Sequence, residues 1–86
     1  MEKQRLQNLV EEYVNEAIDT SESGSWVWSA GEVENYLQST LTEEDMQIIE
    51  DLLTDDQRVA YCEVYTDATG QVVIDCNFYL DYLRMA

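Results

Sequence analysis

From Leu6 to Gln57 the chain holds fourteen carboxylates and no lysine, arginine or histidine. They are Glu11, Glu12, Glu16, Asp19, Glu22, Glu32, Glu34, Glu43, Glu44, Asp45, Glu50, Asp51, Asp55 and Asp56. A soluble chain is about a quarter charged with both signs interspersed, so a window of this length should hold roughly six basic groups. Carboxylates without a cation are costly to bury and belong on solvated faces, which leaves the apolar residues between them to build a core from the opposite side. The four basic residues, Lys3, Arg5, Arg58 and Arg84, stand near the ends or at the entrance to a C-terminal extended region, and the net charge is -15.

Length narrows the choice further. A chain of 86 residues is read as one compact acidic domain, residues 1 to 86, that buries only about 60 to 65% of its unfolded surface, which leaves little room for a large substrate pocket. Hydrophobic residues make up 45% of the chain, too many for a disordered acidic tail. No apolar run approaches the roughly 18 residues of a membrane span. Met1-Glu2-Lys3-Gln4-Arg5 leads into an amphipathic pattern rather than a signal peptide, so a cytosolic protein is expected.

Leu6, Leu9, Val10, Tyr13, Val14, Ala17 and Ile18 recur at helical spacing and predict a helix over residues 3 to 18. A serine-rich loop ending in Gly24 follows, and the β-prone Ser25-Trp26-Val27-Trp28 predicts at most one short strand. Ser29-x-x-Glu32 reads as a capping box for a second helix, with Trp28 stapled on Val33. Thr42-x-x-Asp45 repeats the device for a third helix running to about Leu53, with Leu41 packing on Met46 and with Met46, Ile49, Leu52 and Leu53 inward.

After Asp56 the pattern becomes extended. Val59 to Thr66 and Gln71 to Tyr79 flank the turn Asp67-Ala68-Thr69-Gly70 and predict a hairpin. With Asp67 paired to Gln71 across a three-residue loop, Ala60, Cys62 and Val64 lie opposite Phe78, Cys76 and Ile74 and form one apolar face. Tyr61, Glu63, Tyr65, Val73, Asp75, Asn77 and Tyr79 then share the other face. In this register Glu63 and Asp75 oppose each other with like charge. The fold class is α+β, three helices packed on one face of a C-terminal antiparallel hairpin, with a third short strand near residues 25 to 28. Leu80 to Met85 reads as a last helical turn.

Other features of the sequence bear on chemistry. Asp19 to Gly24 has the oxygen-bearing residues of half a calcium-binding loop, but position twelve, where a bidentate glutamate belongs, is Ala30. Cys62 and Cys76 face each other and are expected to be reduced and buried, without the local Cys-x-x-Cys spacing of a redox pair. No metal or cofactor is expected. Catalysis is not expected either: histidine, a phosphate loop and a nucleophile elbow are missing from the sequence, and no spacing singles out one carboxylate pair.

Two candidate sites remain. The first is the dense acidic run Glu43, Glu44, Asp45, Glu50, Asp51, Asp55 and Asp56. The second is the hairpin face of Tyr61, Glu63, Tyr65, Asp75 and Tyr79, where aromatic rings beside carboxylates suit a partner's arginine. A negative field repels nucleic acid and anionic membrane and favours basic partners, so the partner expected is a cationic protein surface of the kind that binds nucleic acid. In size and charge alone the chain resembles the small acidic inhibitors encoded by phages and mobile elements, among them anti-CRISPR proteins, antirestriction proteins and uracil-glycosylase inhibitors. The resemblance is one of composition and carries no functional residue over. It implies a non-enzymatic inhibitor that imitates DNA. The competing readings are a small adaptor that binds through the tyrosine hairpin, and a domain of a salt-adapted cell whose acids serve solvation.

Overall fold

A computed structural model describes all 86 residues. The elements are α1 (Lys3–Thr20), β1 (Ser25–Trp28), α2 (Glu32–Leu37), α3 (Glu43–Thr54), β2 (Val59–Thr66) and β3 (Val72–Phe78), followed by a 3-10 turn, Leu80–Tyr82. The three strands form one antiparallel sheet in the order β1-β3-β2. The short strand at residues 25 to 28 is therefore real, and it lies against β3 on the side away from β2.

The apolar stripe of α1 faces inward along its whole length, with Leu6, Leu9, Tyr13, Val14 and Ala17 completely buried. Tyr13 ties this helix to the sheet. Its ring meets Trp28 edge-on at 5.4 Å between centroids and lies 6.2 Å from Phe78. Its hydroxyl donates to the Trp26 carbonyl. Ile74, Cys76 and Phe78 of the central strand and Trp28 of β1 complete this layer, with Val33, Leu37, Ile49 and Leu53 closing it from α2 and α3.

The hairpin register is the expected one, with Cys62 opposite Cys76, Val64 opposite Ile74 and Glu63 opposite Asp75. One pairing differs. Val59 stands opposite Phe78, and a bulge between Val59 and Tyr61 leaves Ala60 exposed. The bulge places the larger apolar side chain of Val59 in the core position that regular pairing would assign to alanine. Val73 also departs from expectation. It lies on the outer face, yet it is buried in the central strand opposite Tyr65. Both cysteines are free, and burial pushes the Cys76 thiol up to about 12.

At the start of α3 the capping box forms as the spacing predicts. Asp45 N–H donates to Thr42 Oγ1 at 3.1 Å and Thr42 N–H donates to Asp45 Oδ2 at 3.0 Å. Met46 and Leu52 are only half-buried, at the rim of the core. The box expected at Ser29 does not form. Ala30 and Gly31 both take positive φ, 53° and 83°, and this left-handed corner delays the helix until Glu32. Ser29 contributes its carbonyl, which accepts from Glu32 N–H at 3.1 Å.

The serine-rich loop is docked on the sheet. Ser21 Oγ accepts from Gly24 N–H and donates to the Ser25 carbonyl, both at 3.0 Å. The Gly24 carbonyl receives Phe78 N–H at 2.8 Å. Gly24 has a φ of 91°, and a Cβ there would stand 2.8 Å from the Phe78 carbonyl oxygen. Gly70, in the hairpin turn, has a φ of 83° with nothing within 4 Å of the same position. Gly24→Ala therefore suffers left-handed strain and a backbone clash, and should lower unfolding stability by about 2 to 4 kcal/mol, against about 1 to 2 kcal/mol for Gly70→Ala. Urea denaturation of the two variants measures the difference, and equal losses would show that Gly24 does not seat the loop.

Candidate functional site

The acidic run of α3 divides among three surroundings. Glu43, Glu44, Asp51 and Asp55 are exposed. Asp51 and Asp55 share a face, four residues apart and roughly 5 to 6 Å from each other. They border a shallow hollow with Lys3, Ile48 and Leu52. Glu50 is half-buried and turns toward β2, where it borders a hollow with Glu63, Val64 and Tyr65.

Two members of the run leave the proposed cluster. Asp45 is only 3% exposed and holds the capping box, and its Oδ1 accepts from the amino group of Met1 at 3.0 Å. The Thr42 N–H is the main cause of its lowered pKa, which burial opposes and the amino group of Met1 supports. Asp56 is held by Arg58, whose Nε donates to Oδ1 at 2.9 Å while a terminal nitrogen donates to Oδ2 at 2.8 Å. That fork lowers the Asp56 pKa and raises that of Arg58. Both aspartates serve the fold, because a carboxylate engaged in this way is no longer free for a partner.

Acids outside the run enlarge the negative surface. Glu12, Glu16 and Glu32 meet Trp28, Asn35 and Tyr36 around an open cleft of about 400 Å³. The Trp28 indole N–H donates to Glu16 Oε1 at 3.3 Å, and the Trp28 and Tyr36 rings lie 5.9 Å apart. The helical spacing of Glu12 and Glu16 was visible in the sequence, whereas the approach of Glu32 depends on how α2 packs beside α1.

Cations do little to offset these charges. Arg5 donates to the Leu37 carbonyl at the end of α2, Arg58 is taken by Asp56, and Arg84 meets Asp19 at 3.2 Å in an exposed pair. Lys3 reaches no carboxylate within 4.0 Å. Of the nineteen acids only Asp19, Asp45 and Asp56 have a cationic partner at that distance.

On the hairpin face, Tyr61, Glu63 and Tyr65 of β2 lie beside Asp75 and Asn77 of β3 and Val27 of β1. Tyr61, Tyr65 and Val27 are exposed, at 56%, 43% and 43%. The Tyr61 hydroxyl donates to Glu63 Oε1 at 2.5 Å, and this bond raises the tyrosine pKa. Glu63 and Asp75 oppose each other with no cation within 4.0 Å. Tyr79 is exposed and its backbone is extended. It lies beyond the end of β3 at the start of the 3-10 turn, with its N–H on the Arg58 carbonyl.

Comparison with family models, with curated proteins and with solved structures returns no match. The chemistry of both surfaces thus rests on their own residues: hydrogen-bond acceptors and negative charge on the helices, and carboxylates between aromatic rings on the sheet.

Asp45→Ala should cost about 1 to 2 kcal/mol at neutral pH by removing the carboxylate half of the capping box and the partner of the Met1 amino group. A lowered folded pKa means that the contribution of Asp45 is present above its ordinary value of 3.8 and is lost as the pH falls through the lower folded value. The stability gap between wild type and Asp45→Ala should therefore narrow on acidification below that value. Chemical denaturation at neutral and strongly acidic pH measures the gap, and a gap independent of pH would contradict the assigned role.

Proposed function

We propose that this protein is a non-enzymatic inhibitor whose acidic surface occupies a basic, nucleic-acid-binding surface of a target protein in place of nucleic acid. The observation that carries this reading is the lack of neutralisation, with cations beside only three of nineteen carboxylates. The molecule has a net charge of -15 and a longest extent of 33 Å. Duplex DNA of that length carries roughly 19 negative charges, one for about every 1.7 Å of axis. The two are similar in charge per length, and a cationic channel built for phosphates attracts either.

Glu43, Glu44 and Asp51 on α3 and Asp55 at its C-cap, with Glu11 and Glu12 on α1, are the exposed acids that would stand where phosphates stand. Mutual repulsion among exposed acids costs tenths of a kcal/mol per close pair and is relieved when a basic surface covers them. An inhibitor of this kind works in the cytosol, where a DNA-processing or RNA-guided defence enzyme works, and would belong with anti-CRISPR or antirestriction proteins in function.

The test is equilibrium binding of the chain to a panel of purified nucleases and RNA-guided effectors across a salt series, with duplex DNA as competitor. For a bound member of the panel, affinity should fall by about a hundredfold or more between low and moderately high salt. DNA should displace the chain, and reversing Glu43, Glu44, Asp51 and Asp55 to lysine should abolish binding. Binding that survives salt, DNA and charge reversal would refute the mimic reading. So would a chain that binds no member of the panel and only gains stability with salt, as acids that serve solvation would.

A further inference from the structure

We infer that the free edge of β2 receives an extended basic segment of a partner protein as an added strand. β2 pairs only with β3, so the backbone groups along its other side have no strand partner. Unpaired strand edges of this kind are where extended segments add by main-chain hydrogen bonds. The opposite edge of the sheet is less open, because β1 is four residues long and the Trp26 carbonyl is taken by the Tyr13 hydroxyl. β2 is eight residues long and contains no proline, lysine or arginine, the residues that commonly blunt an edge. Its bulge affects only the first residues, which leaves Tyr61 to Thr66 regular.

Two hollows mark the angle between this edge and α3. One, of about 390 Å³, is lined by Glu50, Glu63, Val64 and Tyr65. The other, of about 200 Å³, is lined by Thr54, Val59, Ala60, Tyr61 and Cys62. Cys62 and Val64 point to the core side and pack against it, yet both remain only partly covered. An added strand would finish their burial.

The charge of the edge selects the occupant. Glu63 is the one charged residue of β2, Asp75 faces it, and Glu50 borders the hollow beside it. A second copy of the chain would bring another net charge of -15 and set its own carboxylates against these. A basic segment relieves the Glu63 and Asp75 repulsion instead. Successive side chains of a strand alternate between faces. The segment that fits therefore alternates arginine, placed over Tyr61, Glu63 and Tyr65, with small apolar residues placed against Cys62 and Val64. Aromatic faces and carboxylates both hold a guanidinium. This surface is separate from the exposed acids of α1 and α3, and its failure or success does not decide theirs.

The probe is an eight-residue peptide alternating arginine and valine, titrated into the full chain. Its control is the same peptide N-methylated at every backbone amide, which keeps the charge and cannot donate to a ladder from either edge. The parent peptide should bind about tenfold or more tightly than the control, and the amides of β2 should gain hydrogen-exchange protection. Glu50→Lys combined with Glu63→Lys should weaken binding by about tenfold or more, while Asp51→Lys combined with Asp55→Lys should weaken it far less. Equal binding of the two peptides, protection at β1 or the helices, or dimerisation of the chain through β2 in sedimentation would each overturn the proposal.

Discussion

Nineteen carboxylates repel one another across a molecule 33 Å long, and a single apolar layer between the helices and the sheet holds them in place. Tyr13 sits at the centre of that layer. It is fully buried, packs edge-on to Trp28, and gives its hydroxyl to the Trp26 carbonyl of β1. Leaving a buried polar group without its partner costs about 1 to 3 kcal/mol, a sizeable part of the roughly 5 to 15 kcal/mol by which small domains are stable. A fold under constant electrostatic strain depends on that kind of contact more than on its few ion pairs. Of these, the exposed pair of Arg84 and Asp19 contributes little.

The layer also determines which acids are free. Helical rotation of about 100° per residue spreads a run of acids around the helix. Asp45 turns inward to close the capping box while Glu43, Glu44, Asp51 and Asp55 turn to solvent. Asp45 is held by the Thr42 N–H and the Met1 amino group and Asp56 by Arg58, while the exposed acids project a field with almost no counter-charge. The sheet adds a different surface, where Glu63 and Asp75 lie between exposed tyrosines on a face that no helix covers. Long-range attraction by the first and local fit by the second are compatible within one binding event.

Much of the architecture was legible in the residues. The stripe from Leu6 to Ile18 marks α1, and the hairpin register follows from keeping Glu63 off the apolar face. The third strand was visible in Ser25 to Trp28, although its pairing with β3 depends on the tertiary path. Ser29 misled because its capping pattern is local, whereas the left-handed corner at Ala30 and Gly31 accompanies the close packing of Gly31 on Gln71. Ala60 misled because alternation alone does not reveal a bulge. The candidate site was legible in charge and less so in arrangement. Seven acids close in sequence read as one cluster, and only the packed chain shows that Asp45 and Asp56 are engaged, that Glu50 belongs with β2, and that Glu12, Glu16 and Glu32 gather around Trp28 and Tyr36.

The most direct measurement of whether the uncompensated charge serves recognition is the association rate with a basic nucleic-acid-binding partner, followed by stopped-flow fluorescence as ionic strength is raised. Steering by the field predicts an association rate that falls steeply with salt while dissociation changes little. An association rate indifferent to salt would mean that the acids only keep the protein solvated.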